Sequence, residues 1–118
     1  MGYRSEVALC LNKNGKSALE EKLAEANKET QKIVLSLLAN SDKHLTDSES
    51  FNELWFWDWI KWYPDYPEIK FVENLLNRMD TENFLFIRIG EDSDDSEIQG
   101  AYWDNPFGMY LSRSIEFS

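Results

Sequence analysis

Residues 51–71, Phe-Asn-Glu-Leu-Trp-Phe-Trp-Asp-Trp-Ile-Lys-Trp-Tyr-Pro-Asp-Tyr-Pro-Glu-Ile-Lys-Phe, hold nine of the chain's seventeen aromatic residues and four of its five tryptophans. Each such ring removes about 150–250 Å² from water when buried, so this segment organises either the core or a contact surface. A period of two puts Trp55, Trp57, Trp59 and Tyr63 on one side and Leu54, Phe56, Ile60 and Trp62 on the other. A strand built this way is apolar on both faces and belongs in the middle of a sheet. A helix through Trp55 to Trp62 is the competing reading, but aromatic residues favour strands. Pro64 is expected to end the strand.

The rest of the chain supplies partners for that strand. Tyr3, Ser5, Val7, Leu9 and Leu11 alternate along a first strand, and Asn12 to Gly15 reads as a turn. Ser17-Ala-Leu-Glu20 has the form of a capping box opening a long helix, whose buried stripe is Leu19, Leu23, Ala26, Thr30, Ile33 and Leu37. Residues 40–50 are polar and aperiodic, which predicts a loop. Asp65 as N-cap with Glu68 three residues on predicts a second helix, with Ile69, Val72, Leu76 and Met79 inward. Asn83 to Ile89 alternates as a further strand, and Glu97 to Trp103 pairs back as a hairpin arm. Asn105-Pro-Phe-Gly108 is a turn before a last alternation with Met109, Leu111, Ile115 and Phe117 inward. The order β-α-β-α-β-β-β predicts an α+β two-layer sandwich: a mostly antiparallel sheet of about five strands with two helices on one face.

A chain of 118 residues suits one domain spanning 1–118, with enough core to need neither metal nor disulfide. Cys10 has no partner for a disulfide and lies in an apolar stretch, which predicts a buried, reduced thiol in a cytoplasmic protein. The apolar run after Met1 is too short for a signal peptide, and Glu6 stands where a myristoylation signal needs Ser or Thr. Asp58, Lys61 and two prolines interrupt the aromatic segment, so no transmembrane helix is expected.

Twenty-two acids against twelve bases give a net charge of −10, which repels phosphate backbones and anionic lipid surfaces. Direct nucleic-acid or membrane binding is therefore not expected. Glu91, Asp92, Asp94, Asp95, Glu97 and Asp104 fall in a stretch without a base between Arg88 and Arg113. Such a local field attracts a basic protein surface.

Candidate chemistry is sparse. Asp58 with Glu68-Ile-Lys70 imitates the acid and Glu-x-Lys of metal-dependent nucleases, but there the Glu-x-Lys lies on a strand and here it opens a predicted helix. Asp92-x-Asp94-x-Ser96 resembles the start of a calcium loop, yet the sixth position is not glycine and Trp103 fills the twelfth. An acidic hairpin tip explains it as well. Asp58 among Trp57, Trp59 and Phe56 could become a general acid if burial raised its pKa, and a pocket lined by Trp55, Trp57, Trp59 and Asp58 is one reading of the aromatic segment. His44, the only histidine, sits in the predicted loop. Arg4, Arg88 and Arg113 could converge on an anion, or pair with acids across the sheet. No phosphate loop, zinc-ligand set or nucleophile elbow is present, and neither a catalytic residue nor a cofactor is assigned.

Met1-Gly-Tyr-Arg-Ser5, Lys61-Trp-Tyr63, Phe86-Ile-Arg-Ile-Gly-Glu-Asp92 and Trp103-Asp-Asn-Pro-Phe-Gly108 together resemble short phage- and prophage-encoded proteins of unknown function. The resemblance implies a phage accessory protein in a bacterial cytoplasm and carries no catalytic residue. Joined to the charge, it gives an expectation: a small acidic protein that binds and inhibits a host protein, a defence nuclease being one such target. The expected contact surface is Glu91, Asp92, Asp94, Asp95, Glu97 and Asp104 with Tyr102, Trp103 and Trp59. A homodimer that covers the aromatic face, and the Asp58 pocket, are the alternatives.

Overall fold

The computed structural model describes residues 2–47, 49, 51–92 and 94–107, together with the backbone of 110–111 and 115–116. Strands β1 (Ser5–Leu11), β2 (Lys43–Asp47), β3 (Asn52–Ile60), β4 (Phe84–Gly90) and β5 (Ser96–Gly100) form one sheet in the order β2-β3-β1-β4-β5. Every neighbouring pair in it is antiparallel. Helices α1 (Lys13–Glu25), α2 (Lys28–Ala39) and α3 (Pro67–Arg78) pack on one face, so the fold is α+β with an open sheet. A short hairpin, β6 (Tyr110–Leu111) with β7 (Ile115–Glu116), stands apart from the sheet ladder. Met109 and Phe117 of the expected last strand lie outside the described residues, as do the side chains of Leu111 and Ile115.

Alternation sorts the sheet into two cores. Val7, Leu9, Leu11, Trp55, Trp57, Phe84 and Phe86 meet Leu19, Val34, Ile69, Val72 and Leu76 from the helices. Ala8, Cys10, Leu54, Phe56, Leu85 and Ile87 face the other way, where Tyr102 and Phe107 cover part of them. Cys10 is fully buried, and desolvation pushes its thiol up to about 12, so it is a packing residue with no thiolate chemistry at neutral pH.

Four expectations are corrected. The long helix is two helices, because Asn27 interrupts it: its Oδ1 accepts from the Thr30 amide at 2.7 Å and caps α2. Gln31 then donates its side-chain amide to the Leu23 and Ala26 carbonyls, satisfying the open end of α1. The first helix also starts earlier than the Ser17 box, with Asn12 accepting from the Gly15 amide at 2.8 Å. Gly15 is required there, since a Cβ would sit 2.6 Å from the Asn83 carbonyl oxygen. Secondly, the predicted loop at 40–50 contains β2, an edge strand mostly exposed on both faces and so without a hydrophobic alternation to read. Thirdly, α3 begins at Pro67 after Tyr66, and Asp65 makes no cap.

The fourth correction concerns the aromatic strand itself. Val7 pairs with Trp57 but Ser5 pairs with Ile60, so β3 carries one extra residue between those positions. This bulge at Asp58 and Trp59 reverses the phase of the residues after it. Ile60 and, beyond the strand end, Trp62 join the helix-side core instead of the opposite face. Trp59 is turned out and is 53% exposed.

Candidate functional site

The two ends of the sheet place the expected surface residues. Ser5, Ile60, Gly90 and Ser96 meet at the near end, and Leu11, Glu53, Phe84 and Gly100 at the far end. Seven residues of β4 separate them, about 20 Å at 3.4 Å per residue. Glu91, Asp92 and Asp94 are exposed in the near-end turn. Trp59 belongs to the same end: Arg4 donates its backbone N–H to Glu91 Oε2 at 2.6 Å and its Nη1 to the Trp59 carbonyl at 3.4 Å.

The expected surface is not one patch. Tyr102, Trp103 and Asp104 follow β5 at the far end. There Tyr102 donates its hydroxyl to Asn52 Oδ1 at 2.7 Å, while Trp103 and Asp104 stay exposed. Asp95 and Glu97 are engaged internally. Arg88 binds Asp95 through Nη2 at 2.8 Å and Nη1 at 3.1 Å, binds Glu97 through Nε at 3.1 Å, and donates to Ser5 Oγ at 3.2 Å. Tyr3 adds a hydroxyl donor to Asp95 at 2.5 Å. These donors, Arg88 first, hold the Asp95 carboxyl down at about 2. Glu73 on α3 feels the same cluster: burial, then repulsion from Glu97, raises its carboxyl.

The arginine trio therefore does not converge. Arg88 pairs with acids, Arg4 is tied to Trp59 and Glu91, and Arg113 lies outside the described residues. The calcium-like run instead closes a tight turn, in which Asp95 donates its N–H to the Asp92 carbonyl at 3.0 Å. No group of three or more His, Cys, Asp or Glu side chains among the described residues could hold a metal. No helix among them is long and apolar enough to cross a membrane.

The pocket expected around Asp58 also takes a different form. Asp58 is exposed, so the desolvation that reading needs is missing, and Trp55 is buried under His44, whose ring stacks on it at 5.3 Å. The open space lies beside them. A groove of about 430 Å³ runs between α2 and β3, lined by Ile33, Leu37, Trp57, Ile60 and Trp59 with Ser36, Asn40, Asp42 and Glu68. Trp57 closes it, its indole N–H donating to the Leu37 carbonyl at 3.0 Å. A second depression of about 300 Å³ adjoins it, sharing Leu37, Trp59, Ile60 and Glu68 and flanked by Arg4, Lys61 and Tyr66.

Comparison with protein-family models, with curated proteins and with solved structures returned no match. The chain's own side chains are therefore the guide to what it can do.

One cluster has no counterpart in the sequence expectations. Glu53, nearly buried on β3, takes Lys16 from α1 on one oxygen and His44 Nε2 from β2 on the other at 2.6 Å. Burial pushes the Glu53 carboxyl up, and Lys16 and His44 together outweigh it, leaving it below its ordinary value. The signal was present: reading 43–47 against 52–56 as a hairpin puts His44 and Glu53 on one face. Asp42 was missed, and Glu68 was read only beside Lys70 and as a capping partner, because nothing in sequence brings α2, β3 and α3 together around Trp59.

Proposed function

We propose that this chain is a small acidic binding module that docks a basic host protein through the near end of its sheet. The observation that carries the reading is that the half-exposed Trp59 lies at the same end of the sheet as the exposed Glu91, Asp92 and Asp94, with Arg4 bonded through its backbone to Glu91 and through its side chain to the Trp59 carbonyl. Tryptophan is enriched where protein contacts concentrate their energy, and like-signed carboxylates at the same end of a sheet favour an oppositely charged partner. Asp95 and Glu97 contribute field, not free ligands, because Arg88 already holds them. One arginine against two carboxylates leaves the corner negative.

The resemblance of Met1 to Ser5 and of the 86–92 and 103–108 segments to phage-encoded proteins supports a host protein as partner and a bacterial cytoplasm as setting. Blocking a host enzyme, such as a defence nuclease, suits that setting: a rigid acidic module competes with the enzyme's own anionic ligand.

Affinity capture from bacterial lysate at low and high salt tests the reading. A basic protein retained at low salt should be lost at high salt, where the screening length falls to about 3 Å. The triple variant Glu91→Lys, Asp92→Lys, Asp94→Lys should lose it too, and Trp103→Ala at the far end should keep it. Capture unchanged by the triple reversal sinks the proposal.

A further inference from the structure

The groove beside Trp59 has a mixed lining. Ile33, Leu37, Trp57 and Ile60 supply apolar surface, Ser36 and Asn40 are polar, and the carboxylates Asp42 and Glu68 stand among them. One oxygen of Asp42 accepts the Asp58 backbone N–H at 2.7 Å. The bases of this region, Arg4 and Lys61, line an adjoining depression that shares Leu37, Trp59, Ile60 and Glu68 with the groove.

We infer that this groove receives a lysine or arginine side chain of the docked protein, its methylene stem along Leu37 and Ile60 and its cationic head between Trp59, Asp42 and Glu68. The assignment rests on the binding reading above and names what the near end recognises. A basic side chain is an apolar stem with a charged tip, and the lining offers apolar side chains and carboxylates to both parts. The face of an indole attracts a cation, and attracts it more strongly where water is partly excluded. The start of α3 opposes the cation, since the helix N-terminus carries about half a positive charge, but Glu68 in that first turn offsets it and Asp42 adds a full negative charge. At about 430 Å³ the groove falls within the size range of ligand sites.

The test is an NMR titration of the full chain with three blocked tripeptides: acetyl-Gly-Arg-Gly-amide, acetyl-Gly-Leu-Gly-amide and acetyl-Gly-Glu-Gly-amide. The arginine peptide should shift the Trp59 indole N–H and the Leu37 and Ile60 amides, and the other two should not. Trp59→Ala should weaken that binding about tenfold, and Asp42→Asn or Glu68→Gln each about threefold. Persistence of the Trp57 indole signal shows that each variant keeps its fold, and Trp59→Phe, which retains a ring, should bind at an intermediate level. Equal shifts from the leucine peptide, or no groove shift from any peptide, overturn the assignment. Shifts confined to residues 91–95 overturn it as well while leaving the binding module standing, and the charge-reversal capture tests that module separately.

Discussion

Arg88 and Glu53 occupy diagonally opposite corners of the helix-covered face, and each is a charge surrounded by the other sign. Arg88, on β4 at the near end, is held by Asp95 and Glu97 and touches Ser5, which crosslinks β1, β4 and β5. Glu53, on β3 at the far end, is held by Lys16 and His44, which ties α1 and the edge strand β2 to the sheet. The difference lies in what remains if the centre is removed. Around Glu53 the survivors are two bases with substantial exposure that can turn toward water. Around Arg88 the survivors are Asp95, Glu97 and the nearby Glu73, three carboxylates on elements packed together. In a chain of net charge −10, a cation inside acids is structurally more valuable than an acid inside bases.

The substitution that separates the corners most strongly is Arg88→Met, which keeps the aliphatic bulk and deletes the charge. We expect it to cost about 1–3 kcal/mol, because Asp95 and Glu97, each about a third exposed, lose their described guanidinium partner and are left beside Glu73. Urea unfolding should show a lower midpoint with an unchanged slope. Glu53→Gln should cost less, about 1 kcal/mol, since its amide oxygen still accepts from Lys16 and the released bases reach solvent. If the two substitutions cost the same, the two corners are equivalent and the argument from surviving charges is wrong.

These corners also mark how far the sequence could be read. The alternations in β1, β3 and β4 were legible because their strands are flanked on both sides, so burial writes itself into residue type. β2 was not, since an edge strand that is mostly exposed leaves no pattern. With β2 invisible, His44 looked like a loop residue and its pairing with Glu53 could not be found. The helix break at Asn27 could have been suspected from Asn27 followed by Thr30 inside the apolar stripe, but the stripe itself continues unbroken through it. The bulge at Asp58 and Trp59 left no mark, because nearly every residue around it is apolar or aromatic and a period of two fits either phase. That one extra residue moved Ile60 to the helix side and left Trp59 exposed. The acidic run was legible as charge but not as geometry, since only the fold shows Arg88 reaching Asp95 and Glu97 and the chain carrying Trp103 to the other end.

Acid should separate the two corners more gently. The Asp95 carboxyl is held at about 2 against an ordinary 3.8, so the folded state binds its proton less readily than the unfolded chain does. Its contribution is therefore complete above about pH 4 and is lost as pH falls toward 2. Glu53 is depressed as well and acts in the same direction. In Arg88→Met the loss of stability between pH 4 and 2 should be shallower than in the native chain, whereas Lys16→Met should change that limb less. Thermal melts at half-unit pH steps measure it. An acid limb unaltered by Arg88→Met would show that Asp95 draws its low pKa from the Tyr3 hydroxyl alone.

The smallest effect is expected in alkali, where the Glu53 corner responds through Lys16. Lys16 is raised above its ordinary 10.5, chiefly by its bond to Glu53, with burial pulling the other way. A raised lysine stabilises the fold at every pH below its unfolded value, and that share disappears as pH climbs through the raised one. Arg88 stays protonated throughout, so the central cation of the near-end corner adds no alkaline limb of its own. Two tyrosines run parallel to Lys16. At Tyr3 the Asp92 amide pulls the hydroxyl down and the Asp95 carboxylate pushes it up and wins, while burial raises Tyr102. Both make unfolding easier above pH 10, so Lys16→Met should flatten the alkaline loss and not abolish it. Adding Tyr102→Phe should flatten it further. Unfolding free energies measured at pH 9 and pH 11.5 for the native chain and both variants decide the point: a loss identical in all three means that the Lys16 bond to Glu53 contributes nothing measurable to the fold.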